Sequence, residues 1–255
     1  MKIEKKKVIP ALMVIALGIA VSMVSFQAGE VSFPQEAEAL QEEIAGIPVD
    51  EAKFTDESGE VRIDFEALEA QNPDIYAWIT LPGTEIDYPV LQKSDSEDPY
   101  DNYYLNHTVD FTEGLPGAIY SQAVNHKDFM DPVTVLYGHN LKNGGMFTSL
   151  HRFEEQDFFE KNRQIILYTP EGTLIYEIFA AVEFSDDLIP YEYDFSDPLE
   201  VQRYLEDVGG CEGNFREDIA ISQEDKILTL STCYSGRDTS RLLVEAVMIE
   251  KEQIK

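Results

Sequence analysis

The stretch KILTLSTC (226–233), followed by YSGRDTSR (234–241) and LLVEAVMIE (242–250), decides how this chain reads. Ile227, Thr229 and Ser231 alternate with Leu228, Leu230 and Thr232, a β-branched and apolar mixture that suits a pleated, buried surface. The turn-forming run Tyr-Ser-Gly-Arg-Asp then leads into a second apolar run, so the two segments are expected to pair as neighbouring strands. The first strand ends at Cys233. A thiol at the rim of a sheet is held by a buried strand and still faces a loop, which makes it both rigid and accessible. Cysteine is also among the most often buried residue types, so on position alone packing is the commoner explanation.

Working outward, further strands are predicted at 76–81, 84–91, 118–121, 134–138, 164–169 and 173–184, besides 226–232 and 242–249. Each is rich in β-branched and aromatic residues and bounded by Gly, Pro, Asn or Asp. Pro170-Glu171-Gly172 reads as a tight hairpin between two of them. A short helix is expected over 65–71, where Phe65 and Leu68 share an apolar face and Asn72-Pro73 stops the chain. Helical interruptions are expected near 150–161 and 198–207. Eight short strands with few helices predict a mainly β fold, an eight-stranded closed or nearly closed barrel with an N-terminal helix and a helix between late strands.

The ends of the chain differ from this body. Residues 1–7, MKIEKKK, carry four lysines and one glutamate, and the nineteen residues 8–26 carry no charge. At a rise of about 1.5 Å per residue such a run spans a hydrocarbon core of roughly 30 Å. Lysines on its N-terminal side predict a cytoplasmic tail (1–7), a single-pass signal-anchor helix (8–26) and an exported remainder. A cleaved signal peptide is the alternative, but Phe26-Gln27-Ala28 fits a small-residue cleavage site poorly. Residues 27–63, rich in Glu and Ala and turn-forming at 56–59, read as an acidic stalk. Residues 64–255 then read as the folded domain that carries Cys233. The formal net charge is -30, from 19 Lys and Arg against 49 Asp and Glu. That balance argues against nucleic acid as a partner, because phosphate binding needs clustered cations.

Four histidines are available. His107 and His126 lie in polar loops and His151 opens an amphipathic helix; all three read as solvated or capping groups. His139 follows the apolar run TVLYG, and Gly138 is expected to let the backbone turn so that the imidazole projects from a strand end. A neighbouring histidine can stabilise a thiolate and protonate a leaving amine. Arg237 lies in the turn after Cys233 and is expected to be exposed. Arg241 immediately precedes the apolar run 242–249, from where its guanidinium can lie over the thiol and donate to an oxyanion. Cys211 and Cys233 are too few for a disulfide framework. They remain free to pair with each other, although the setting of Cys233 favours a free thiol.

Together the segments LYGHNLKNGGMFTSLHRF (136–153), TLSTCYSGRDTSRLLVEA (229–246) and NPDIYAWITLPGTEIDYPVLQ (72–92) resemble the sortases, the class B type most closely, over roughly residues 65–249. The resemblance implies an eight-stranded β-barrel with extra N-terminal helices and a helix between the sixth and seventh strands. It implies Cys233 as nucleophile, His139 as general acid or base, and Arg241 as the group that orients the sorting signal and stabilises the oxyanion. Leu105 and Ser231 would line the peptide groove. The reaction implied is cleavage after Thr of an LPxTG- or NPxTN-like C-terminal signal. The resulting thioacyl-enzyme is resolved by an amine of a cell-wall precursor or of another protein. Its partners would be exported proteins bearing that signal, at a Gram-positive-type cell surface. No cofactor or metal is required, and the acidic loop SDSEDPYD (94–101) lacks regular calcium-ligand spacing. A pilin-polymerising class C enzyme and a non-catalytic, membrane-anchored binding module are the alternatives. The chain's ending soon after its last strand, at KEQIK, counts against class C, whose members usually add a C-terminal membrane segment.

Overall fold

Residues 51–253 are described in the structure, a computed structural model. The expected tail (1–7), the membrane span (8–26) and residues 27–50 of the stalk lie outside the described residues. Among the described residues no helix is long and apolar enough to cross a membrane.

The described chain opens with an antiparallel hairpin of β1 (Lys53–Thr55) and β2 (Val61–Ile63). Its turn is the expected one at 56–59, held by Asp56, whose Oδ1 accepts from the backbone N–H of Ser58 and Glu60. Ala52 is fully buried and Ile63 packs beside it in a cluster with Leu68 and Trp78. Residues 51–63, assigned in the sequence to the stalk, are therefore part of the folded body. Helix α1 (Phe65–Gln71) follows as expected, with the Asp64 side chain accepting from Ala67 N–H at its start.

The barrel begins with β3 (Ile75–Thr80) and β4 (Asp87–Leu91). After a 3-10 turn (Tyr103–Leu105) come β5 (Ile119–Tyr120) and β6 (Val133–Tyr137). A second 3-10 segment (Thr148–Glu154) and α2 (Gln156–Lys161) lead to β7 (Gln164–Thr169) and β8 (Gly172–Ser185). Helices α3 (Ile189–Glu192) and α4 (Pro198–Gly209) and a short β9 (Gly213–Phe215) precede β10 (Ile227–Tyr234) and β11 (Arg237–Gln253).

Around the barrel the strands run β3, β4, β5, β6, β10, β11, β8, β7 and back to β3, with β9 added to the edge of β8. The pairing of β11 with β8, from Ser240↔Ser185 to Gln253↔Gly172, closes the ring. All eight predicted strands are present in this closed, mainly β barrel. The expected run 84–91 starts only at Asp87, because Thr84 closes a tight turn by donating to the Leu81 carbonyl and accepting from Ile86 N–H. The helix expected over 150–161 is interrupted at Glu155, whose backbone is extended.

Leu228 and Leu230 of β10, with Leu242, Val244 and Ala246 of β11, fill the barrel interior. The alternate residues Ile227, Leu243 and Val247 face outward and are covered by Val201, Tyr204 and Val208 of α4. Asp197 caps α4 by accepting from Leu199 N–H, and Pro198 occupies its first turn, where a missing N–H costs nothing. One polar cluster lies inside this layer. Glu245 of β11, fully buried, accepts from the Tyr204 hydroxyl (2.7 Å) and from Thr229 Oγ1 (2.8 Å).

Burial pushes the Glu245 carboxyl up to about 7, against the hydroxyl hydrogen bonds that favour its charged form. An unfolded chain releases this proton near 4.5, whereas the folded protein keeps it up to about pH 7. In that interval the native state binds more protons, so Glu245 makes stability fall as pH rises through it and adds no slope outside it. Glu245→Gln is expected to remove this component. The difference in Tm between variant and wild type should grow in the variant's favour from pH 4.5 to 7 and then level off, as read by thermal unfolding across pH.

Candidate active site

Strand alternation puts the side chains of Thr229, Ser231 and Cys233 on the outer face of β10, opposite the interior leucines. Cys233 lies within β10, one residue before its end, and it is directly opposite Arg241 in the antiparallel register of β10 and β11. Arg241 likewise lies within β11 instead of just before it. Directly opposed residues share a face, with Cβ atoms about 4.5–5.5 Å apart, so the Arg241 side chain leaves the sheet beside Cys233 and borders the same groove. Its Nη1 donates to the Ser240 carbonyl at 3.1 Å. Arg237 is engaged elsewhere, exposed over the Tyr234 ring (4.1 Å) with Nη1 2.5 Å from Glu183 Oε2. Cys233 and Cys211 are both free thiols. Cys211 follows α4 and donates to the Asp207 carbonyl.

His139 comes to the same place from the end of β6. The Gly138 N–H donates to the Ser231 carbonyl (3.2 Å) and Thr232 Oγ1 donates to the Gly138 carbonyl (2.7 Å), tying the two strand ends together just before the histidine. His139 Nε2 is 2.6 Å from the Leu105 carbonyl. A carbonyl only accepts, so Nε2 carries the hydrogen, and Nδ1 is the atom left to gain and lose a proton. Leu105, Ser231, His139, Cys233 and Arg241 line one groove of about 240 Å³, bordered by Tyr137 and by residues 185–189. The floor is stiff: Tyr120 and Tyr137 pack with ring centroids 5.4 Å apart, and the Tyr120 hydroxyl donates to Asn102 Oδ1. Burial first, then the charges of Asp101 and Cys233, pushes the Tyr120 phenol upward, so it stays a donor. A thiol, an imidazole with one free nitrogen and a guanidinium around one cleft can carry out acyl transfer. Among the described residues no group of three or more His, Cys, Asp or Glu is placed to hold a metal ion.

Comparison with known proteins shows the family. Residues 79–249 match the family model described as a sortase domain. The chain belongs to the sortase family. It is 32% identical over 192 residues to Sortase B of Staphylococcus aureus, covering 74% of this chain and 76% of that protein. It is 29% identical over 216 residues to Sortase B of Listeria monocytogenes, covering 84% and 85%. The solved Staphylococcus aureus sortase B–substrate complex superposes with a TM-score of 0.64 at 30% identity, covering 73% of this chain and 85% of that one. The sortase is thus of the class B type, a cysteine transpeptidase.

The sequence reading of one feature of this sortase needs extending and of another correcting. The chain leaves β6 at Gly138 as expected, and the glycine also supplies space, since a Cβ there would stand 2.5 Å from Ile119 Cδ1 and 2.8 Å from the Phe147 ring. His151, set aside as a solvated or capping group, lies with Nε2 3.1 Å from the Cys233 carbonyl and 3.0 Å from Asn140 Nδ2. Asn140 and Glu154 join it there and were not singled out either. The signal was present in GHN and in the HRF that ends the resembling segment, next to Glu154, but no spacing rule links those positions to a cysteine about eighty or more residues away. His107 and His126 do stay away from the groove. His107 stacks on Tyr103, and His126 pairs with Asp131.

Gly138→Ala is expected to lower the unfolding free energy by about 1–3 kcal/mol through overpacking. Urea denaturation at matched pH reads that loss, and an unchanged midpoint would count against the tight contact with Ile119 and Phe147.

Proposed function

We propose that this sortase cleaves an LPxTG- or NPxTN-like C-terminal sorting signal after its threonine, with Cys233 as nucleophile, His139 as proton carrier and Arg241 as oxyanion donor. The protein is held at the outer face of the membrane by residues 8–26, with residues 1–7 in the cytoplasm. Its substrates are exported proteins, and its acceptor is an amine of the cell wall or of another protein. The observation that carries the reading is the register pair Cys233↔Arg241 beside His139 in one groove. The relation to a sortase B solved as a substrate complex supports a peptide ligand for that groove.

The Cys233 thiol gives its proton to His139 Nδ1, the thiolate adds to the threonine carbonyl carbon, and the C=O π pair moves to oxygen. Arg241, fixed on the same sheet face, donates to that oxygen without reorganising. Collapse of the tetrahedral adduct breaks the C–N bond, and His139 Nδ1–H protonates the departing amine. The acceptor amine then adds to the thioacyl carbon and gives its proton to the imidazole, and the Cys233 thiolate leaves. The Leu105 carbonyl keeps the ring orientation through both halves by holding Nε2–H. Leu105 and Ser231 border the bound signal.

The purified full-length chain, incubated with a panel of sorting-signal peptides, is expected to accumulate a thioacyl adduct on Cys233 by mass spectrometry and to release product when hydroxylamine is added. Cys233→Ala should form none. Arg241→Lys keeps the charge but loses the planar fork, so its kcat/KM should drop, approaching the roughly 10²–10³-fold loss that follows removal of an oxyanion donor. Folded protein that forms no adduct with any threonine-containing signal would overturn the reading.

A further inference from the structure

Successive carbonyls of a β-strand point to opposite edges, so those of Ser231 and Cys233 face the same way, toward β6. Ser231 still has a partner there, because its carbonyl accepts from Gly138 N–H. The β6–β10 pairing ends at Ser231↔Tyr137, and two residues later the Cys233 carbonyl faces an edge with no strand on it. A backbone acceptor in a partly buried position needs another donor. Asn140 supplies it: its Nδ2 donates to the Cys233 carbonyl at 3.0 Å.

The rest of the cluster sets which way Asn140 points. His151 Nδ1 is 2.8 Å from Glu154 Oε2, and a carboxylate accepts, so Nδ1 carries the hydrogen. In the neutral ring Nε2 is then an acceptor, and it lies 3.0 Å from Asn140 Nδ2. The two N–H bonds of the Asn140 amide are thus directed one to the Cys233 carbonyl and the other to His151. Glu154 is held in turn by the Tyr234 hydroxyl, which donates to Oε1 at 3.0 Å, and the His151 and Tyr234 rings meet edge to face. The 3-10 segment Thr148–Glu154 therefore orients Asn140, which holds the Cys233 carbonyl, and itself holds Tyr234, the residue after Cys233.

We infer that Asn140 is a positioning residue for transpeptidation, oriented by the His151–Glu154 pair. It follows His139 in sequence and hydrogen-bonds the backbone of Cys233, so a single side chain joins the loop bearing the proton carrier to the strand bearing the nucleophile. This inference rests on the roles proposed for Cys233 and His139. Its effect falls on the geometry of attack and not on the groove, since neither Asn140 nor His151 lines it. Displacement of reacting groups by about 1 Å costs on the order of 10²-fold in rate.

The test uses the full-length chain, with rates expressed per thiol-titrated, folded molecule so that loss of folded protein does not count. Asn140→Leu and His151→Leu are each expected to lower kcat for thioacyl formation by about 10–100-fold. KM for the peptide should stay within about twofold. His151→Gln, which can place an amide oxygen near the Nε2 position, is expected to recover most of the rate. Wild type that forms no adduct overturns the parent reading and this one with it. Wild type that reacts, alongside leucine variants of unchanged kcat or with the loss confined to KM, overturns the positioning role alone. So does a His151→Gln variant as slow as His151→Leu.

Discussion

The parallel ladder between β6 and β10 ends two residues before the thiol of Cys233, and the organisation of the site follows from that ending. Up to Ser231, β10 is hydrogen-bonded along both edges, to β6 and to β11. Beyond it only β11 remains, still in register at Cys233↔Arg241. The nucleophile is thus fixed from one side by a long antiparallel strand and released on the other, where the chain leaving β6 turns away with His139 on it. Closure of the barrel through β11 and β8 makes this arrangement stiff, because β11 cannot shift relative to β10 without breaking its register with β8 as well.

The outer face of the same strands serves two purposes along its length. Near Thr229 and Glu245 it is a core, covered by α4 and containing a carboxyl that folding keeps protonated toward neutral pH. Two and four residues further along β10, at Ser231 and Cys233, the same face borders the groove. Side chains of one face are therefore selected by different demands within a few residues: satisfaction of hydrogen bonds under the helix, and exposure to a peptide beyond it. The polar character of Thr229, Ser231 and Cys233 in an otherwise apolar strand reflects both demands.

Much of the fold was legible in the chain. Runs rich in β-branched and aromatic residues and bounded by turn residues located all eight barrel strands, and Phe65 with Leu68 ahead of Asn72-Pro73 located α1, because these patterns are local consequences of backbone geometry and burial. The extent of the folded body was less legible. Residues 51–63 read as stalk by composition, yet the turn at 56–59 closes a hairpin that buries Ala52. Of the histidines, His139 was distinguished by the apolar run before it. His151 was not, because its place beside the Cys233 carbonyl brings together positions with no sequence relation to each other.

The sequence by itself determined the barrel, the thiol at the end of a buried strand and the family to which the chain belongs, since each is written in short-range patterns and contiguous motifs. The sequence favoured Arg241 over Arg237 through the apolar run that follows it, but only tertiary structure supplies the register that sets Arg241 across from Cys233 and the contact that turns Arg237 toward Glu183. Tertiary structure also decided which nitrogen of His139 is free and which residues hold the nucleophile's backbone. Those outcomes depend on where one strand stops beside another, and that is a property of the closed barrel rather than of any segment within it.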